Sequence, residues 1–397
     1  MRAVVVVLVG GIACSAAPAP TVADGGGGDD ASTAPDAAVP AFPWRLPAGF
    51  PIPKVPADNP MTVEKALLGR YLFYDKRLSQ NQTQACASCH QQALAFTDGR
   101  SNAVGSTGVV NRRSAMSLVN VAYYSAQTWA NPTQKTLEQQ ATVPLLGDNP
   151  IELGMSGHEQ ELLDRLRAEP SYAPRFAAAF PAEADPFTVI NVLRAIASFE
   201  RTIVSGSSPY DGFANGDTTA ISDSARRGSQ LFLGERLECR HCHGTFAFTG
   251  SVTWQGKSQD DLSYQNDALY NIDGAGGYPL RDRGLYEITL APADMGKFRP
   301  PTIRNIAVTG PYMHDGSIAT LRDVIVNHYA RGGRLVTGPD AGDGALSPLK
   351  GSFVGGFAIS DAEVDDVLAF LGALTDQNLL IDPALSDPWA AAPPESP

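Results

Sequence analysis

Two copies of C-x-x-C-H constrain this chain more than any other feature: Cys86, Cys89 and His90 within "QACASCHQQALAFTDG", and Cys239, Cys242 and His243 within "LECRHCHGTFAFTG". The chain holds five cysteines, and once Cys14 near the N-terminus is set aside, the other four all belong to these motifs. Three chemistries use such motifs: zinc binding, dithiol redox exchange and covalent attachment of haem c. Zinc sites pair C-x-x-C units at short spacing, and a thioredoxin-like pair sits on a βαβ background that this sequence lacks. Haem c fits the pattern. Two thioethers fix the porphyrin, and the adjacent histidine on the same helical turn reaches the iron.

The flanks repeat as well. "GRYLFYDKRL" precedes the first motif and "GSQLFLGERL" the second, and "AFT" follows each histidine by four or five residues. This is an internal duplication. Each copy opens with an amphipathic helix, "TVEKALLGRYLFYD" capped at Thr62 and "SDSARRGSQLFL" starting near Ser222. Two further helices are expected in "DPFTVINVLRAIASFERTIV" and in "SDAEVDDVLAFLGALTD", the latter with a capping box from Ser360 to Glu363. With no alternating strand series between them, the expected class is all-α: two duplicated cytochrome c-like haem domains with long loops. The domains are expected at 49–210, peroxide-reacting, and 211–380, electron-transferring, with a boundary near "SGSSPYDGFANGD", residues 205–217, and a tail at 381–397.

The N-terminal run "AVVVVLVGGIAC" is too short to cross a bilayer but has the length of a secretory signal's apolar region. Residues 1–14 are therefore expected to be a signal peptide, which implies export to the periplasm. Small residues precede Cys14 as in a lipoprotein cleavage site, although the usual leucine three positions upstream is missing. A lipid anchor at Cys14 and an ordinary cut a few residues later both stand. Residues 15–48, rich in Ala, Pro, Gly, Asp and Ser, read as a flexible linker. A formal charge of -12 argues against nucleic acid and anionic membrane surfaces as partners.

From about residue 49 to 376 the chain resembles the bacterial di-haem cytochrome c peroxidases, and within them the branch typified by MauG and MbnH. The resemblance is carried by "LGRYLFYDKRLS", both C-x-x-C-H motifs, "TWANPTQKTLEQQATVPLL", "NPIELGM", "AIASFERTIVSG", "RPPTIRNIAVTGPYMHDGS" and "HYARGG". It implies peroxide chemistry at the N-terminal haem, with His90 as proximal ligand. Classical members carry a removable distal histidine in the loop after the first motif. Here there are six histidines and none between His90 and His158, so "RSNAVGSTGVVNRR" offers no such ligand and an open iron is expected. The resemblance puts Gln140, Pro144 and Glu152 over that iron, with "GD" as a short insertion before "NP". Breaking an O–O bond heterolytically requires a proton to move between its oxygens, a task for Glu152, with Gln140 orienting the peroxide or a water. The plain alternative is that Glu152 marks a helix entry and Gln140 is solvated.

For the second haem the resemblance implies His243 as proximal ligand and, as the sixth, the tyrosine of the MauG branch in place of the methionine of classical members. Tyr329 matches it, but counted from "HDG" this chain is one residue longer, which brings His328 into contention. Met313 is the remaining sulfur candidate. Trp129 in "QTWANP" matches a tryptophan that conducts charge between the haems; simple core packing is the alternative. The resemblance also implies a calcium ion held by carbonyls of Thr309 and Pro311 and a side-chain donor at Asn120 or Ser114. His314 is expected to support that turn or the haem environment, and His158 and His241 to be ordinary polar residues.

The function so implied is an enzyme that reacts with hydrogen peroxide and oxidises a residue of a partner protein. Branch members oxidise tryptophan, in one case on an amine dehydrogenase and in another on a copper-binding protein. A tryptophan two residues before the second motif serves the first of these, and Leu237 stands there in this chain, which favours the second. Two alternatives are a classical peroxidase drawing electrons from a cytochrome c or cupredoxin, and a non-catalytic di-haem electron carrier.

Overall fold

The computed structural model describes residues 41–390. Expectations for the signal segment, for Cys14, for most of the linker and for residues 391–397 lie outside them. Helices begin where the caps predict. Thr62 Oγ1 accepts from Lys65 N–H to start α1 (Val63–Phe73). The one-turn α2 (Cys86–Cys89) carries the first motif. Beyond it come α3 (Leu137–Leu146), α4 (Glu159–Ala168), α5 (Tyr172–Ala179) and α6 (Val189–Glu200). A short α7 (Pro209–Ala214) leads to α8 (Asp223–Leu233), capped by Ser222, and to α9 (Arg240–His243) with the second motif. Then follow α10 (Tyr286–Thr289), α11 (Leu321–Asp323), α12 (Asp361–Ala373) with its Ser360–Glu363 capping box, and α13 (Gln377–Ile381). Among the described residues sheet is confined to two antiparallel pairs of two-residue strands, β1 (Gln265–Asn266) with β2 (Lys297–Phe298) and β3 (Leu335–Val336) with β4 (Gly342–Asp343). The molecule is mainly helical.

The two halves are built alike in detail. α1 crosses α6, and α8 crosses α12, each at a glycine where the backbones touch. A Cβ on Gly69 would lie 1.8 Å from the Ala195 carbonyl oxygen, and one on Gly228 would lie 1.9 Å from that of Asp366. Only glycine permits either crossing. Each half also holds an asparagine in the left-handed region, Asn120 and Asn305, both at φ 61° and both opening a 3-10 turn. Asn120 N–H donates to Ile203 O (2.9 Å) and Asn305 N–H to Leu374 O (3.0 Å), just beyond the ends of α6 and α12. Their Oδ1 atoms accept from Ser205 N–H (2.9 Å) and Asp376 N–H (2.7 Å).

Apolar side chains gather in one core built chiefly from α1, α3, α4, α5 and α6 and another from α8, α12 and the second motif. A smaller third core joins Trp129 and Ala130 to Tyr278, Phe298 and Ile318. One expectation on domain limits, the tail from 381, differs from this arrangement. The boundary segment 205–217 is anchored in its first half and exposed over 214–217: Ser205, Ser208 and Asp211 are buried, and Arg304 clamps Asp211 through two hydrogen bonds of 2.8 and 2.9 Å. The segment from 381, expected as a tail, packs back on the first half as far as Trp389. Leu379 and Leu385 enter its core, Trp389 Nε1–H donates to Tyr71 O (2.9 Å), and Tyr74 O–H donates to Leu385 O (2.7 Å). Burial of apolar surface explains the strap, since Leu379 and Leu385 are each nearly solvent-free. No helix among the described residues is long and apolar enough to cross a membrane.

Candidate functional site

Each motif faces a cavity. In both, a one-turn helix aims two thiols inward and delivers the histidine at its end. His90 Nδ1–H donates to Phe96 O (2.8 Å) and His243 Nδ1–H donates to Phe248 O (2.9 Å), which fixes the tautomer and leaves Nε2 free. The accepting residues are themselves strained into position, Phe96 at φ 61° and Phe248 at φ 50°. Burial lowers the pKa of both imidazoles, so both are neutral donors at physiological pH. Burial also holds the Cys89 and Cys242 thiols up at about 11 and pushes Cys86 higher still. Protonated thiols in an apolar wall suit thioether attachment better than a thiolate metal site.

The first cavity, about 780 Å³, brings together Cys86, Cys89, His90, Gln140, Pro144 and Glu152. Three of the expected residues from the long insert between the motif and α4, Gln140, Pro144 and Glu152, therefore meet the motif itself. α3 supplies Gln140 and Pro144 one turn apart, and Thr136 caps that helix through a capping box with Gln139. Pro144 has no N–H, so the Gln140 carbonyl loses its usual helical donor. The loop 103–111 folds over 151–153: Ser106 N–H donates to Glu152 O (2.7 Å), and a Cβ on Gly105 would lie 2.1 Å from Ile151 O. Asn111 Nδ2–H donates to Glu152 Oε1 (3.1 Å). Burial nonetheless raises the Glu152 pKa. Asn111 was invisible to motif reading, because its contact spans 41 residues and belongs to a loop. A second unread carboxyl, Glu200 from α6, lines the same cavity.

The second cavity, about 1340 Å³, is lined by Cys239, Cys242, His243, Tyr329, Met313 and Trp129 among others, and it is mostly apolar. Tyr329 faces it and His328 does not; His328 is fully buried beside it, and neither of its ring nitrogens has a hydrogen-bond partner. The reason lies in the backbone. Residues Val324–Tyr329 form a π-helix, with Ala330 N–H donating to Ile325 O (2.8 Å), so one extra residue is accommodated without moving the tyrosine off the cavity wall. His314 also lines this cavity, stacked on Phe298 at 3.7 Å. Trp129 is pinned by Nε1–H to Ser114 O (3.2 Å) and by its carbonyl to Arg299 N–H (2.7 Å). Arg299 is the residue that the motif reading passed over. It is fully buried, stacks on Tyr124 at 4.1 Å, lines the cavity and leaves Nη1 unpaired. A buried cation with an orphan donor on a cofactor-sized cavity calls for an anion, which a haem propionate would be.

Of the two side-chain donors expected for calcium, Asn120 and Ser114, each has hydrogen-bond partners of its own. Both amide atoms of Asn120 are taken by Ser205, Nδ2–H donating to its carbonyl (3.0 Å) and Oδ1 accepting its N–H. Ser114 does reach the turn that follows Thr309 and Pro311, its hydroxyl donating to Met313 O (3.2 Å) and His314 O (3.3 Å). His158 is solvent-facing between Gln80 and Glu161, and His241 pairs with Glu235 and Glu238 at the surface.

A helical protein with two C-x-x-C-H cavities, each with a neutral, oriented histidine, defines a di-haem c oxidoreductase. Comparison with known proteins agrees. A family model described as di-haem cytochrome c peroxidase matches residues 63–219. The chain is 34% identical over 331 residues to the methylamine utilization protein MauG of Methylorubrum extorquens, covering 83% of each chain. It is 35% identical over 361 residues to the cytochrome-c peroxidase IdrP1 of Denitromonas iodatirespirans, covering 86% of this chain and 90% of that one. Among solved structures, a MauG-like protein associated with microbial copper homeostasis superposes with a TM-score of 0.86 at 45% identity, over 88% of this chain and 100% of that one. The chain belongs to the di-haem cytochrome c peroxidase family, enzymes that carry two c-type haems and use peroxide.

Proposed function

We propose that the protein is an exported peroxidase that reacts with hydrogen peroxide at the first cavity and spends the oxidising equivalents on a side chain, tryptophan by chemistry, of a partner protein. One observation carries this reading. All six histidines are among the described residues, and only His90 lines the first cavity, which has no methionine either. His90 would hold a haem iron there, and no other histidine or methionine of the cavity would compete with peroxide for it. The structural neighbour's link to copper homeostasis supports a copper-binding protein as the partner.

Haem at the first site supplies the iron on which the O–O bond is broken. Glu152 moves the proton. Asn111 occupies its Oε1, so Oε2 is the atom that takes a proton from one peroxide oxygen and returns it to the other. The raised pKa suits that task, because the carboxyl holds a proton closer to neutral pH than a solvated glutamate. Gln140 orients the peroxide, and Pro144 closes the wall beside it. At the second site His243 and Tyr329 would hold the iron, Arg299 would pair a propionate, and Trp129 would pass charge between the two halves. We read those halves as duplicated cytochrome c-like domains, supported by the paired glycines, asparagines and histidine acceptors. Calcium enters no step. Export to the periplasm, with or without a lipid anchor at Cys14, belongs to the same reading.

Met313, which also lines the second cavity, lends support to the classical peroxidase alternative. Electron paramagnetic resonance of the ferric protein separates the two. One high-spin and one low-spin signal, both lost on adding peroxide to unreduced protein, is the expected result. Two low-spin signals that ignore peroxide until half-reduction would replace this reading with the classical one. The same spectrum in Tyr329→Phe and His328→Phe variants is expected to change only for the first.

A further inference from the structure

Glu200 has no place in the chemistry above, yet it is the most anomalous group in the first cavity. It closes α6, is 5% exposed and lines the cavity that holds Cys86, Cys89 and His90. Its Oε2 is buried without a hydrogen-bond partner. The nearest cation, Arg201, is committed elsewhere, gripping Glu138 through two bonds of 2.7 Å. The internal repeat supplies the control. Gly69 meets Ala195 where Gly228 meets Asp366, so Phe199 corresponds to Phe370 and Glu200 to Leu371, which lines the second cavity. One frame therefore presents leucine to one haem site and an orphan carboxyl to the other.

We propose that Glu200 is the proton-coupled group of the first haem site: it keeps its proton when that site is reduced and releases it when the site is oxidised. The step balances: one electron would leave a haem at the first site for peroxide, or for a redox mediator in a titration, and one proton would leave the Glu200 carboxyl for solvent water. The driving force is electrostatic, since a positive charge gained on the cofactor favours a carboxylate in a poorly solvated wall far more than it would in water. Burial raises the Glu200 pKa to about 8, with Arg201 opposing and Glu138 assisting, so a modest change in cofactor charge moves it across neutral pH. The remaining groups that face this wall do not substitute for it. Burial raises the Cys86 thiol beyond reach, and Glu200 itself adds to that shift; Cys86 is in any case consumed in a thioether. His90 is neutral and held by Phe96; Glu152, also raised by burial, has Asn111 donating to its Oε1, and its own variant separates its share.

The inference needs haem at the first site but not the partner-oxidising reading, and its test uses neither peroxide nor partner. The midpoint potential of each haem in the holoprotein is measured by spectroelectrochemical titration between about pH 6 and 9 in wild type, Glu200→Gln and Glu152→Gln. In wild type the first-site potential is expected to fall as pH rises, by up to tenfold in the equilibrium constant per pH unit, which is 59 mV for one electron. The second site has its own carboxyl, Asp267, which burial raises to about 6, so any slope found there is expected to be the same in wild type and in the Glu200 variants. Glu200→Gln should flatten the first-site slope and Glu152→Gln should keep it. Glu200→Leu, which copies the second cavity, gives the same flat line if the glutamine variant folds poorly. A slope that persists in both Glu200 variants, or one that vanishes in Glu152→Gln, overturns the proposal.

Discussion

The first and second cavities share a frame and differ in what that frame presents. Around His90 the wall carries Glu152, Glu200, Gln140 and Asn111, two carboxyls and two carboxamides in a buried space. Around His243 the corresponding space is wider and dominated by Phe, Ile, Leu and Val side chains, with Tyr329, the unpaired Arg299, His314 and Asp267 among its polar features. On the proposed division of labour, the difference teaches how one shared frame can serve two tasks. A site that handles peroxide needs groups that hold and release protons; a site that stores charge needs a fixed, dry environment with few of them. Paired glycines, asparagines and histidine acceptors keep the two frames in step, so the chemistry diverges only through the side chains that project into each cavity.

The sharpest way to break that comparison is to remove the proton carrier from the first cavity alone. Glu152→Gln keeps the shape and the Asn111 contact but cannot relay a proton. Peroxide activation, followed by stopped-flow absorbance, is expected to slow roughly 100- to 10,000-fold, the usual worth of a positioned acid–base group. Haem content and the second-site spectrum should be unchanged. An activation rate within a few-fold of wild type would show that the polar wall is not what distinguishes this cavity.

The shared frame can be attacked from both ends. Gly69→Ala and Gly228→Ala each push a methyl group to within 2 Å of a carbonyl oxygen, at 1.8 and 1.9 Å. Overpacking of this severity costs about 3 kcal/mol or more. Urea unfolding should therefore report similar, large losses for the two variants. If one is tolerated and the other is not, the two helix crossings are not equivalent and the correspondence of Glu200 with Leu371 loses its footing.

Much of this was legible in the residues. The motifs, the caps at Thr62, Ser222 and Ser360, and the gathering of Gln140, Pro144 and Glu152 at the first motif all follow from local pattern or from the resemblance. What was not legible depends on contacts without periodicity. Asn111 reaches Glu152 from a loop, and the C-terminal strap is held by single side chains such as Trp389 and Tyr74. That Tyr329 and not His328 lines the second cavity turns on a backbone irregularity, because a π-helix absorbs one residue and no propensity scale signals it. Glu200 stood in plain view within "AIASFERTIVSG", but nothing in that string says that its carboxyl would be buried without a partner.

The smallest expected effect tests that burial directly. A carboxyl whose pKa rises from 4.5 unfolded to about 8 folded makes the native state bind a proton that the unfolded chain has already lost. Native stability should therefore fall as pH climbs from the unfolded value toward the folded one, with a slope of at most about 1.4 kcal/mol per pH unit. Glu200→Gln removes this penalty while keeping the shape. Its stability relative to wild type should be nearly level at about pH 4 and improve by about 1 kcal/mol or more by about pH 8, read as urea midpoints at the two pH values. Leu371→Gln provides the comparison, since it replaces a non-titrating side chain in the second cavity and should shift stability by the same amount at both. A Glu200→Gln difference that does not change with pH would mean that the carboxyl finds solvent or a cation in the folded protein, and the first cavity would then be no more proton-sensitive than the second.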